Sequence, residues 1–153
     1  MKTIKEAAKR VNFVRLQLVR VSSLLYPQRR IRMAGDAVEL LQKFLDETDR
    51  EHFVLLCLNA KNEPTAIHTV SIGSLDASIV HPREVFKVAI LSNAASVIVG
   101  HNHPSGDPSV SREDLNVTKI LTQAGELLGI PVLDHIILGQ GSAYYSLKER
   151  GDM

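Results

Sequence analysis

The chain has 153 residues, 44% of them hydrophobic and 23% charged, with a formal net charge of +1, enough for one substantial core and short for two domains. The apolar runs are short and interrupted, and the Met1 to Arg10 stretch has no long hydrophobic region, which argues against a membrane span or a signal peptide and makes the cytoplasm the expected compartment. Cys57, the one cysteine, excludes a disulfide framework and a cysteine-rich zinc site, and it reads as a small buried hydrophobe in a reducing compartment.

Residues 1 to 32 hold nine Lys or Arg against one acid, Glu6, so the rest of the chain is acidic. Such an arm binds phosphates through counterion release, which makes nucleic acid a candidate partner. The competing reading is a solvated strand face, with Val14, Leu16 and Leu18 alternating with Arg15 and Gln17. No aromatic stacking platform accompanies the charge, so the strand is preferred and any DNA binding is expected to be weak. Gly35-Asp36-Ala37-Val38-Glu39 then predicts a capping box opening a helix, with Leu40, Leu41, Phe44 and Leu45 as its apolar stripe.

Two strands are predicted over about 52 to 59 and 64 to 72, joined by the turn-rich Ala60-Lys61-Asn62-Glu63. Pro82 at the first helical position starts a helix reaching about residue 93. The short β-branched run Ala95 to Val99 suits a buried strand. After Asp114 a long helix carries Val117, Ile120, Leu121, Ala124, Leu127 and Leu128 at helical spacing, and Gly129 with Pro131 stops it. A strand over 132 to 138, the turn Gly139-Gln140-Gly141-Ser142 and a last strand near 143 to 147 complete the chain. Strands before, between and after three helices indicate a single α/β domain with a mixed sheet flanked by helices.

The window His101-Asn102-His103-Pro104-Ser105-Gly106-Asp107-Pro108-Ser109-Val110-Ser111-Arg112-Glu113-Asp114 concentrates the chemistry. Side chains two apart on an extended backbone point the same way, so both imidazoles can reach one ion. Ser111 and Asp114, three apart, share a helix face. Two imidazoles and a carboxylate leave a fourth position open to water, as catalytic zinc requires. Ser111-x-x-Asp114 is equally a capping pair for the helix that follows, and both readings stand. Asp107 reads as a turn residue before proline. His52, His68 and His81 fall in strand or cap positions, and His135, after Asp134 in an apolar strand, is either an ordinary buried residue or a support for the site.

His-x-His, seven residues, then Ser-x-x-Asp resembles the JAMM (JAB/MPN) metalloprotease motif. Together with His81-Pro82-Arg83-Glu84-Val85-Phe86, Leu133-Asp134-His135 and Leu147-Lys148-Glu149-Arg150-Gly151, it is similar to the RadC-like branch of that family. The resemblance covers residues 11 to 151, after a basic segment at 1 to 10. Longer RadC-type proteins carry an N-terminal helix-hairpin-helix module, for which this sequence has no room.

The resemblance implies a JAB/MPN-like fold, His101, His103 and Asp114 as ligands of Zn2+, and Ser111 as the residue that holds the oxyanion. It also implies an upstream glutamate that moves the proton of the attacking water. Glu51, opening the apolar segment 52 to 58, is the choice, and Glu84 in a helical first turn is the rival. The expected activity is that of a zinc metallopeptidase or isopeptidase acting on a peptide or protein conjugate. A non-catalytic MPN-type scaffold and a DNA-repair-associated protein are the alternatives.

Overall fold

The computed structural model describes residues 6–45, 48–73 and 80–153. Its elements run α1 (Ala34–Phe44), β1 (His52–Leu58), β2 (Pro64–Ile72), α2 (Pro82–Leu91), β3 (Ser96–Asn102), α3 (Arg112–Leu128), β4 (Val132–Leu138), β5 (Tyr144–Ser146) and α4 (Leu147–Arg150). The strands form one mixed sheet in the order β2-β1-β3-β4-β5, antiparallel except between β3 and β4. A parallel pair needs a long crossover, and α3 supplies it. The result is the single α/β domain expected, and its architecture is that of a JAB/MPN-like fold.

Both faces of the sheet are covered, which explains why β1 and β3 read as unbroken apolar runs. Phe53, Leu55 and Cys57 of β1 join Val97 and Val99 of β3 under Val85, Phe86 and Ala89 of α2 and Val117 and Leu121 of α3. On the opposite face Val54, Leu56, Leu58 and Ile98 pack beneath Ala37, Val38, Leu40 and Leu41 of α1. His101 pairs with Phe53 across the ladder, so its imidazole belongs to the α2 and α3 side. This register puts the end of β3 beside the start of α3.

Local signals account for most boundaries. Asn59 folds the β1–β2 turn by accepting from the backbone N–H of Lys61 and Glu63 and donating to the Glu63 carboxylate. His81 caps α2 ahead of Pro82. Gly129, at φ 72°, ends α3 in the left-handed conformation that glycine adopts without strain. β3 carries on past its apolar run to Asn102 and delivers His101 at its end as expected, because the chain keeps its ladder with β1 and β4 through that residue.

Three expectations are corrected. The capping box of α1 keeps only its acidic half: the N-cap is Met33, which has no hydroxyl, while Asp36 accepts from the backbone N–H of Arg32 and Met33. The last strand ends at Ser146, whose side chain accepts from Glu149 N–H and opens the one-turn helix α4 with a Ser-x-x-Glu signal, so Leu147 is helical rather than extended. The strand anticipated over Val14 to Leu18 does not form. Residues 6–25 carry neither helix nor strand, and Val14 and Leu16 are 80% and 74% exposed, because no neighbouring strand among the described residues offers them a ladder.

Packing starts where Tyr26 Oη donates to the Asp36 carbonyl and Ile31 N–H bonds to Asn62 O. Of the basic segment 1–10, residues 1–5 lie outside the described residues. Among the described residues no helix is long and apolar enough to cross a membrane.

Leu41 is fully buried on the face away from His101, and it packs so closely over Gly100 that a Cβ there would lie 2.8 Å from Leu41 Cδ1. Leu41→Ala is expected to cost about 2–5 kcal/mol in urea denaturation. The bound-metal content of the folded fraction should stay unchanged, since no donor on the other face moves.

Candidate metal centre

Four side chains from three parts of the fold converge at the end of β3. Glu51, His101, His103 and Asp114 each offer a donor atom, all within 4.8 Å of one another, and this group could hold a metal ion. His101 Nε2 lies 3.0 Å from His103 Nε2 and 3.1 Å from Asp114 Oδ1, and His103 Nε2 lies 3.4 Å from Asp114 Oδ2. Donors at about 2.0–2.1 Å from one tetrahedral ion are separated by about 3.3 Å, so these three already outline one face of such a site. Glu51 Oε1 is 3.7 Å from His101 Nε2. Glu84 is elsewhere, bonded to Lys87 in the first turn of α2.

Each donor is held by its own local structure. His101 is fully buried and stacks on Phe53 with ring centroids 6.0 Å apart. His103 extends the pairing of β3 with β4 by one bond, from its N–H to Leu138 O. Its Nδ1 lies 2.8 Å from the Asp107 carbonyl oxygen, which only accepts, so Nδ1 carries the hydrogen and the neutral ring turns a bare Nε2 toward the cluster. A neutral His103 thus presents a metal-ligating nitrogen.

Asp114 is the third residue of α3, and both readings of Ser111-x-x-Asp114 hold together. Asp114 N–H donates to Ser111 Oγ at 3.1 Å, while Asp114 Oδ2 accepts from Ser111 N–H at 2.9 Å. The capping box therefore fixes the carboxylate that faces the imidazoles. Burial alone pushes the Asp114 carboxyl up, but the facing imidazoles of His101 and His103, whose charged forms favour the carboxylate, and the backbone N–H of Ser111 outweigh it and hold the group well below the usual carboxylate range. The Asp114 hydrogen bond raises the His103 pKa, against the opposing effect of burial and with help from the Asp107 carbonyl.

Asn102, between the two histidines, points the other way as strand alternation requires. Its Oδ1 accepts from His52 N–H at 2.8 Å, and its Nδ2 donates to Arg50 O at 2.8 Å and Thr48 Oγ1 at 3.1 Å. The residues on both sides of Glu51 are thereby clamped to the ligand strand. Alternation was the signal that could have found this amide. The Asp107 carbonyl gave none, because the residue enters the site through its backbone; its carboxylate closes a turn on Ser109. Of the other histidines, His52 rests against Arg50 O and His81 caps α2, while His68 lies on β2 outside the cluster. His135 lies behind His101, where burial pushes its imidazole well below the ordinary histidine range. It is neutral.

A family model described as the RadC-like JAB domain matches residues 31–152. The chain belongs to the RadC-like JAB domain family. It is 55% identical over 121 residues to a UPF0758 protein of Desulforamulus reducens, covering 79% of this chain and 53% of that protein. To a UPF0758 protein of Caldanaerobacter subterraneus it is 57% identical over 116 residues, 76% of this chain and 49% of the relative. A UPF0758 protein of Shouchella clausii is 60% identical over 116 residues, with coverage of 76% and 50%. The chain spans about half the length of the curated relatives it matches. The RadC-like JAB match begins at Ile31, the first buried residue of the described chain.

Two outcomes are expected. Asn102→Ala should lower stability by about 1–3 kcal/mol, because it strands His52 N–H, and leave the metal content of the folded protein near that of the unaltered chain. Metal capture must displace the proton that the raised His103 pKa retains, so chelator competition at stepped pH should show apparent affinity falling as pH drops through that pKa and levelling above it.

Proposed function

We propose that this RadC-like JAB domain is a zinc-dependent hydrolase of the JAMM type, cleaving an amide or isopeptide bond in a peptide or protein conjugate. The observation that carries the reading is the pairing of three clustered donors with one acid at the rim. His101 and Asp114 are buried, whereas Glu51 and His103 have side chains 19% and 18% exposed, so the centre opens to solvent on their side. Zinc, a borderline ion suited to imidazole and carboxylate, lowers the pKa of a water it binds to about 7 and polarises a carbonyl.

The remaining work falls to the chain. His101, His103 and Asp114 would supply three ligands, leaving room for water and substrate. Glu51 accepts the proton of the attacking water as the C–O bond forms, then delivers it to the departing nitrogen as the C–N bond breaks. Ser111 already accepts from Asp114 N–H, so its own hydroxyl hydrogen is available to donate to the oxyanion. One hydrogen of the water thus reaches the departing nitrogen through Glu51 and the other stays on the carboxyl product, without a covalent intermediate.

Glu51→Gln should reduce turnover of an isopeptide-linked or peptide substrate by about 10²–10⁴-fold while zinc content persists, measured by product formation and elemental analysis. His103→Ala should lose the zinc itself. Equal zinc in His103→Ala and the unaltered protein would overturn the metal assignment. Full zinc loading without hydrolysis across the substrate panel would favour a scaffold that keeps the ion but not turnover.

A further inference from the structure

Behind the cluster runs a chain of polar groups through an otherwise apolar core, and both its ends are donor residues of the candidate centre. Thr118 Oγ1 lies 2.7 Å from the Asp114 carbonyl and 2.5 Å from His135 Nδ1, and His135 Nε2 lies 2.8 Å from His101 Nδ1. Thr118 and His135 are buried, and Phe53 stands edge-on to the His135 ring at 5.6 Å. Among the described residues no carboxylate forms an ion pair with His135.

The direction of every bond in this chain follows from one end. A carbonyl oxygen can only accept, so the Thr118 hydroxyl gives its single hydrogen to Asp114 O. Only lone pairs then remain on Thr118 Oγ1, and His135 Nδ1 must carry a hydrogen to bond with it. A neutral imidazole has one N–H, which leaves His135 Nε2 bare. His101 Nδ1 must therefore be the donor, and His101 Nε2 faces the cluster with an unshared pair.

We propose that Thr118 and His135 are positioning residues that lock His101 in the tautomer able to bind the ion, an inference that rests on the metal reading of the site. The lock begins on the main chain of Asp114 and ends on the ring of His101, so the two ligands are tied by a buried path as well as through the ion they would share. Outer groups that orient a ligating histidine typically change metal affinity by about 10–100-fold when removed. An apolar side chain at 135 would fill the same space without fixing the ring.

Thr118→Val is nearly isosteric and removes the hydroxyl, and with it both the acceptor for His135 Nδ1 and the donor to Asp114 O. His135 is then free to move its hydrogen to Nε2, where it donates to His101 Nδ1 and drives the His101 hydrogen onto the ligating nitrogen. Two-bond ¹H–¹⁵N correlation spectra of the metal-free protein should show His101 protonated at Nδ1 in the unaltered chain and shifted toward Nε2 in Thr118→Val. Zinc affinity, measured by competition with a chromophoric chelator, should fall about 10-fold or more in Thr118→Val and recover in Thr118→Ser. His135→Leu should fall at least as far, and Thr118→Val keeps the test decisive if that variant does not fold. Tight zinc binding by the unaltered protein with unchanged affinity and tautomer in Thr118→Val overturns the lock alone. Absence of zinc binding by the unaltered protein overturns the metal reading and the lock with it.

Discussion

The carboxylate of Asp114 is under two demands, and the position of the whole centre follows from how one side chain meets both. Its Oδ2 accepts from Ser111 N–H to start α3, and the same carboxylate faces both imidazoles at the end of β3. A buried carboxylate with fewer partners would be driven toward its neutral form. Here the Ser111 N–H that starts the helix joins the two facing imidazoles in keeping the group anionic, so a device common at any helix N-terminus becomes the anionic corner of a candidate cation site. Displacing α3 by a fraction of a turn would break the cap and the cluster together.

Support for the site is divided by direction. The α2 and α3 face of the sheet carries His101, backed by Phe53, Thr118 and His135, in a dry setting where each polar atom has a partner. The solvent side is held by groups at the chain's surface: the Asp107 carbonyl on His103 and the Asn102 amide around Glu51. Buried backing for the ligand and a surface clamp for the acid suit the proposed chemistry, in which the ion's place is fixed while Glu51 moves a proton.

Much of this arrangement was legible in the sequence because it obeys local periodicities. His101 and His103 are two apart on a strand, Ser111 and Asp114 three apart at a helix start, and the apolar positions of α3 recur at helical spacing. What stayed hidden depends on pairing between distant segments. Nothing in the order of residues says that His135 of β4 falls opposite Val99 and behind His101, because that follows from a parallel register set across α3. The alternation of Val14, Leu16 and Leu18 failed for a related reason: it describes the two faces of a strand but supplies no neighbouring strand. Ser146-x-x-Glu149 stands in the sequence as a helix start, but one turn of helix is too short to show a period.

The pairing of β1 with β3 has a consequence for when the centre comes into existence. Residues 101 to 114 contain three of the four donors, but Glu51 reaches them only through the β1–β3 ladder and the Asn102 clamp, which join segments about 50 residues apart in sequence. Such distant contacts form late and slowly, since their loop-closure entropy must be met before they stabilise anything. The local segment can therefore gather His101, His103 and Asp114 on its own, and Glu51 joins them once the sheet has assembled. Completion of the four-donor cluster is in that sense a report on tertiary folding.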